Sequence, residues 1–396
     1  MSAARAYWVA WSQISGVGPT LLKRIHQRFG DLETAWQASG SDLASVSGLG
    51  DKSIRTILQQ RSQLNPEQLL HQQCINDSLF WTPADKDYPR LLWEIPSPPA
   101  MLFYRGQPDL AENSGHTSLI GIVGTRYPTE HGRRWTRKIS MALVKQGFTV
   151  VSGLAAGIDG EAHQSCLAAG GRTLAVLGNG VDMAYPPNHR NLYQKIEQGG
   201  LILSEYAAGT RPDRGNFPAR NRIIAGLSRA VLVMEAPERS GALITARYAS
   251  EFGRDVFTLP NSPDVETARG CLRLIHQGAE IIVHAEELIA MLAQIPNLTV
   301  QNQEISNSIT KSTSSAQYHS PRQSVTPAST PTKADPPSHL SSEETKVLGA
   351  IAIESTPFDV IIRETGLTPG DVSAILLQLE LSELITQLPG MCYRRT

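Results

Sequence analysis

The chain has almost no net charge to offer: across 396 residues, 36 Lys and Arg stand against 37 Asp and Glu, leaving −1. A basic domain or patch is the usual footprint of a nucleic-acid binder, so any such role has to come from a local patch. Cysteine is scarce as well. The four present, Cys74, Cys166, Cys271 and Cys392, have no metal-ligand spacing, which argues against a zinc site and against the disulfide framework of small secreted domains. They are expected to be reduced and to act as core filler. No apolar run approaches the roughly 18 residues of a membrane span. The opening stretch "MSAARAYWVAWSQISGVG" is interrupted by Ser and Gln and lacks a basic start or cleavage-site pattern. A folded, cytoplasmic chain without membrane contact is the expectation.

Catalytic signatures are missing too. There is no Gly-x4-Gly-Lys-[Ser/Thr], no Gly-x-Gly-x-x-Gly after the first α/β strand, no His-Glu-x-x-His and no Gly-x-Ser-x-Gly. These gaps count against a P-loop NTPase, a dinucleotide enzyme, a zinc protease and an α/β-hydrolase. Asp159, Glu161 and His163 lie close enough to be imagined as an acid/base set, but a helix cap at Asp159 explains the same residues.

What is present divides the chain into parts. With 41% apolar and 18% charged residues the composition is that of a soluble globular protein, and its length fits two or three domains of roughly 100 to 200 residues. Residues 1–70 carry "ISGVGPTLLKRIHQRFG" and "VSGLGDKSIRTILQQ", which share an apolar-Ser-Gly-apolar-Gly pattern followed by a helical apolar period. This predicts a helical domain of helix-hairpin-helix-like repeats. Their Gly-x-Gly turns suit either phosphate contact or mere packing. Residues 296–339, rich in Ser, Thr, Pro and Gln, are expected to be a disordered linker, because such a segment buries too little to offset its ordering entropy. Residues 340–396 read as three helices and a hairpin, a winged-helix-like order, with a capping box at Ser341 and Glu344 and a third helix starting at Thr368. That third helix is rich in Leu and nearly bare of Lys and Arg, which favours protein contact over base readout.

Residues 71–295 change rhythm. The runs "SLIGIVG", "FTVVSG", "RTLAVLG", "GLILSEY", "AVLVMEA", "DVFTLP" and "EIIVH" alternate with helical patterns, which predicts a Rossmann-like, doubly wound α/β domain with a mainly parallel sheet. Ligands of such sheets bind beyond the carboxyl ends of the strands. The candidates there are Gly124, Thr125 and Arg126, then Ser152, Gly153, Ala155 and Gly157, then Ser240, Gly241 and Thr245. Small residues let backbone amides approach a phosphate, and Arg126 can add a bidentate contact.

The local basic patch lies between Glu205 and Arg229, where Arg211, Arg214, Arg220, Arg222 and Arg229 face only Glu205 and Asp213. Within it, "FPARNRIIAGLSRA" predicts a helix with Pro218 in its first turn and an arginine-bearing edge. Its arginines either pair with Glu205 or Glu235 or meet phosphates at the rim, with Phe217 as a face on which a base stacks.

The series "GIVGTR", "VVSGLAAGIDGEAH", "AVLGNGVDMAYP", "FPARNRIIAGLS" and "VMEAPERSGALITA" resembles the bacterial DNA-processing protein A family, DprA/Smf, from about Pro83 to His284. The resemblance implies single-stranded DNA binding in natural transformation, protection of incoming strands, loading of the recombinase RecA, dimerisation through the Rossmann-like domain, no cofactor and no catalytic turnover. It places Arg126, Arg214, Phe217, Arg220 and Arg222 in a basic pocket, with Asn221 inside the same motif. Where many members have a basic residue after Tyr-Pro this chain has Pro187, and Arg190 is near enough to substitute. Gly-Thr-Arg replaces Gly-Ser-Arg, Pro260-Asn261 replaces a Pro-Gly, and Ala268 and Leu272 stand in a segment that is more polar elsewhere. A second reading stays open, a nucleotide or nucleoside-phosphate-binding enzyme or sensor related to phosphoribohydrolases. It would need a carboxylate at the glycosidic carbon, for which Glu251 is the candidate.

Overall fold

The computed structural model describes residues 3–75, 79–295 and 342–352, and most positions of 356–395. The expected linker, Ser341 of the expected capping box and the Thr368 helix start lie outside the described residues.

The first part is helical, with α1 (Ala3–Ser12), α2 (Pro19–Phe29), α3 (Leu32–Gln37), α4 (Gly40–Leu43), α5 (Asp51–Arg61) and α6 (Pro66–Ile75). The two Gly-x-Gly turns are the hairpins: Gly16 and Gly48 adopt φ of +83° and +95°, and Gly18 and Gly50 are the N-caps of α2 and α5. A residue with a Cβ is strained in that left-handed region, so glycine sets the reversal. Trp11, Leu22, Ile25 and Ile57 fill the core between the helices. This segment is not a satellite of the sheet. Ala6, Val9 and Leu70 share a core with Phe80, Phe103 and Ile202, and the Lys23 ammonium donates to the carbonyls of Trp93, Glu94 and Ile95. The expected break after residue 70 falls inside α6, and the helices belong to the same compact unit as the sheet.

The strands are β1 (Leu79–Trp81), β2 (Leu102–Gly106), β3 (Leu119–Val123), β4 (Thr149–Ser152), β5 (Thr173–Leu177), β6 (Leu201–Ser204), β7 (Ala230–Val233), β8 (Asp255–Thr258) and β9 (Glu280–Ile281). Among the described residues they form a nine-stranded sheet in the order β1-β2-β6-β5-β4-β3-β7-β8-β9. The seven expected strands are β3 to β9 and run parallel, while β1 and β2 add an antiparallel edge that the sequence reading did not anticipate.

Between the strands lie α7 (Arg90–Glu94), α8 (Leu110–Ser114), α9 (Glu130–Lys145), α10 (Ile158–Ala168), α11 (Arg190–Gly199), α12 (Asn216–Leu227), α13 (Ala242–Glu251), α14 (Arg269–His276) and α15 (Ala285–Gln294). One sheet face takes Ile139 and Leu143 of α9, Ala162 and Cys166 of α10, and Leu288 and Leu292 of α15. The other takes Ile223, Ile224 and Leu227 of α12 and Ala242, Ala246 and Ala249 of α13. Strands covered on both sides cannot alternate apolar and polar residues, which is why β3 to β7 read as continuous apolar runs.

The chain winds outward from β3 through β4 and β5 to β6, then returns to lay β7 against the opposite side of β3. The carboxyl ends of β3 and β7 therefore form the topological switch point, where connections diverge and leave a crevice.

The tail is a separate unit. It contains α16 (Ser342–Ala350), β10 (Thr356–Pro357), α17 (Phe358–Thr365), β11 (Ile385–Leu388) and β12 (Cys392–Arg395), with antiparallel strand order β10-β12-β11. Helical positions recur across 371–379, and Val372, Ile375, Leu376 and Leu379 are buried with Val347, Ile361 and Ile385. Leu376 and Leu379 thus serve this module's own core.

Candidate nucleic-acid interface

A cleft of about 680 Å³ opens at the switch point. Three connections wall it: the β3–α9 turn with Gly124, Thr125 and Arg126, the start of α12 with Phe217, Arg220 and Asn221, and the β7–α13 turn with Ser240 and Gly241. Ala155 and Thr245 also line it, and so does Arg214, just before α12. An adjoining pocket of about 70 Å³ runs between Arg126, Gly153, Ala156, Tyr185 and Phe217. The cleft size suits a nucleotide-scale ligand, and its walls combine an apolar floor with a few convergent polar groups.

The arginines divide by environment. Arg126 and Arg214 are exposed at the mouth, and the Arg126 guanidinium lies 6.0 Å from the centre of the Phe217 ring. Phe217 stacks on Tyr185 with centroids 5.4 Å apart and planes at 28°, so a half-buried aromatic face sits beside a free cation. That pairing offers stacking to a base and a fork of donors to a phosphate.

Arg220 behaves differently. It is 4% exposed, and its Nη1 donates to the carbonyl of Gly153 at 2.9 Å and also to that of Val176. Burial lowers its pKa to about 10 against the opposing pull of Asp159, while Arg126 adds repulsion. Any side chain at position 153 would strike this guanidinium, since a Cβ there would lie 2.6 Å from Nη1. Arg220 therefore forms the back wall of the cleft and ties β4 and β5 to α12.

Arg222 departs from the pocket position that the family resemblance implies. It does not line the cleft: its Nη1 and Nη2 each reach a carboxylate oxygen of Glu205 at 2.6 Å, and Nε donates to Ser97 O at 3.0 Å. Burial pulls its pKa down but Glu205 pulls harder the other way, so the net shift is upward. The ion-pair alternative holds here, because the helix turns this side chain toward α7 and the β6 end. Arg229, just past the end of α12, is also buried and donates to Gly115 O at 3.1 Å.

Three other expected positions stand off the cleft. The Ser152 hydroxyl donates to Ile122 O at 2.6 Å inside the sheet, and Arg190 is exposed at the start of α11. Gly157, at φ +83°, lets two loops touch, since a Cβ there would come 2.3 Å from Thr125 O. Asp159 is buried in the first turn of α10, not a surface cap, and accepts from Gly153 N at 3.1 Å. Burial raises its pKa, opposed by Arg220 and by the Ala155 and Gly153 amides. Glu161 pairs with Arg133 and Arg137 at 3.6 Å, and His163 is fully buried against Thr173 Oγ1 at 2.7 Å. Burial first, then His189 and Arg220, press the His163 pKa down to about 3, so its ring is neutral. These three residues do not form an acid/base set.

Glu235, just beyond β7, closes off one potential anion site. Its carboxylate accepts from Thr129 N at 3.1 Å and from Thr129 Oγ1 at 2.6 Å, filling the N-terminus of α9. Negative charge is stabilised there by the helix dipole. Glu251 lies away from the cleft, paired with Arg247 at 3.6 Å, with more than half of its side chain exposed. Of the expected core cysteines Cys166 and Cys271 are buried, while Cys74 is exposed. No group of three or more His, Cys, Asp or Glu able to hold a metal occurs among the described residues, and none of their helices is long and apolar enough to cross a membrane.

Two aromatic residues of the cleft were not among the expected positions. Tyr127 lines the mouth and is 84% exposed, and Tyr185 completes the stack with Phe217. Both lie next to flagged residues, and their aromatic character in strand-end loops was the available signal.

Residues 79–293 match the family described as DNA recombination-mediator protein A. The chain belongs to this family. Its flanks agree: residues 331–391 match the DprA winged helix domain, and residues 12–61 match a SAM-like helix-hairpin-helix tandem. The chain is 55% identical over 395 residues to Protein Smf of Synechocystis sp., covering 100% of this chain and 99% of that one. It is 35% identical over 326 residues to Protein Smf of Escherichia coli, covering 80% and 79%. The solved structure of DNA processing protein A (DprA) from Streptococcus pneumoniae superposes with a TM-score of 0.63 at 33% identity, over 73% of this chain and 98% of that chain. DprA/Smf proteins are DNA-processing proteins by name, and the helical, α/β and winged-helix parts seen here are the family's parts.

Proposed function

We propose that this chain is a cytoplasmic, single-stranded DNA-binding recombination mediator that protects incoming strands in natural transformation and loads RecA on them, as a homodimer and without catalytic turnover. The observation that carries the DNA-binding part is the mouth of the cleft, where exposed Arg126 and Arg214 flank the Phe217–Tyr185 stack at the switch point. Free cations beside an aromatic face match an unpaired strand, which presents phosphates and bases together. A duplex keeps its bases stacked and has no ring to offer Phe217. Family membership supports delivery to RecA and dimerisation, which are the further steps of the same proposal.

Titration of a labelled oligonucleotide tests the reading. Single-stranded DNA should bind at low salt, more tightly than duplex, and affinity should fall log-linearly as salt rises. No binding at low salt, or release of a free base from a nucleoside monophosphate, would overturn it.

A further inference from the structure

The cleft is lined by a buried hydroxyl that the protein itself leaves without a partner. Thr245, in the first turns of α13, is 1% exposed and lines the cleft, and its hydroxyl has no hydrogen-bond partner among the described residues. Three other buried threonines of the domain do donate: Thr136 to Gly132 O, Thr173 to Val150 O and Thr258 to Val233 O, at 2.8 to 2.9 Å. The carbonyl that Thr245 would use in the same way belongs to Gly241, one turn back, and it already accepts from Asn221 Nδ2 at 3.1 Å and Ile244 N at 3.1 Å. A buried hydroxyl without a partner is unfavourable, so a free one facing a cleft marks a place for a ligand atom.

Two further hydroxyls point the same way. Ser240 Oγ accepts from Ala242 N at 3.2 Å, and Thr125 Oγ1 accepts from Tyr127 N at 3.3 Å, and in each case the hydroxyl proton is left to donate. The N-terminus of α13, a helix of 10 residues, carries the positive end of its dipole into the same floor. Asp159, the acid among the lining residues, is occupied by Gly153 N and Arg220.

We infer that the start of α13 is a subsite for a phosphate monoester, carried by the end of a DNA strand or by a free mononucleotide. The number of donors decides between monoester and diester. Thr245, Ser240 and Thr125 all line the cleft, and each has a hydroxyl proton to donate. A monoester presents three oxygens besides its ester oxygen, all strong acceptors, whereas a phosphodiester presents two. The inference rests on the cleft being the nucleic-acid site and adds that it favours an end over an internal stretch.

The test compares one oligonucleotide with a 5′-phosphate, a 3′-phosphate or hydroxyl ends, and a circular strand, on the intact protein and on Thr245→Val. The phosphorylated linear strand should bind about tenfold more tightly than the hydroxyl-ended or circular one, and Thr245→Val should erase that advantage, with the phosphorylated strand losing more affinity than the hydroxyl-ended one. Deoxyadenosine monophosphate should compete where deoxyadenosine does not, which reports the free-nucleotide source. Equal affinity for phosphorylated and hydroxyl-ended strands without competition by the monophosphate, or an advantage that survives Thr245→Val, would overturn the subsite. If the protein bound the monophosphate but no strand, the subsite would stand and the strand-binding reading would fall. Circular dichroism of Thr245→Val should match the parent, and Ser240→Ala gives an independent variant if it does not.

Discussion

The wall and the mouth of the cleft use the same side chain for opposite ends. Arg220 and Arg222 sit on α12 with carbonyls or a carboxylate already in reach, whereas Arg126 and Arg214 stand in solvent with no carboxylate within ion-pair distance among the described residues. A guanidinium taken from water must be paired where it arrives, and once paired it has little left for a ligand. What separates a structural arginine from one left open to a ligand is therefore the set of acceptors the fold has placed beside it. Position within a motif does not decide it.

The comparison breaks most visibly through Arg222. Arg222→Ala strands the Glu205 carboxylate in a largely buried site, and removing one partner of such a pair costs about 3–5 kcal/mol. Urea denaturation should show that loss, and Arg222→Ala combined with Glu205→Ala should be milder than the sum of the two. Arg126→Ala should do the reverse: an unchanged denaturation midpoint, weaker strand binding whatever the sequence, and a salt slope reduced by about 1. Arg214→Ala should follow it.

The aromatic part of the mouth comes next. Phe217→Leu should reduce strand affinity by about 1–3 kcal/mol, the range for one stacked base, with little change for duplex. Tyr127→Ala should produce a smaller loss of the same kind in the same titration. A Phe217 variant that lost stability but kept its affinity would move this ring from the mouth to the wall.

A separate effect concerns acid stability. His163 is neutral in the folded protein, with its pKa depressed to about 3, while the unfolded ring titrates near 6.5. The unfolded state thus takes up the proton first, so stability should fall as pH drops below about 6.5 and level off near the folded value. His163→Gln should flatten that part of the pH–stability profile measured by urea denaturation.

Much of the scaffold was legible because its physics is local. Runs such as "LIGIV" and "AVLVM" announce strands buried on both faces, and Gly16-x-Gly18 and Gly48-x-Gly50 announce the hairpins through a conformation that favours glycine. β1 and β2 escaped because they are short, antiparallel and divided by α7, with no βαβ rhythm to mark them. At the site, Thr125, Arg126, Gly241 and Thr245 were legible because topology alone puts strand ends on one edge. The separate fates of Arg220 and Arg222 were not, because their partners Gly153, Val176, Ser97 and Glu205 are distant in sequence and meet only in the folded chain.

On the proposed function, binding belongs to the mouth of the cleft and stability to its wall. Oligonucleotide affinity across a salt series for the parent, Arg126→Ala and Arg222→Ala, alongside each protein's urea midpoint, separates the two. Arg126→Ala should show a shallower salt slope at an unchanged midpoint, and Arg222→Ala a lowered midpoint with the parental slope in the fraction that stays folded. A parental slope in Arg126→Ala, or a reduced slope at an unchanged midpoint in Arg222→Ala, would contradict that division.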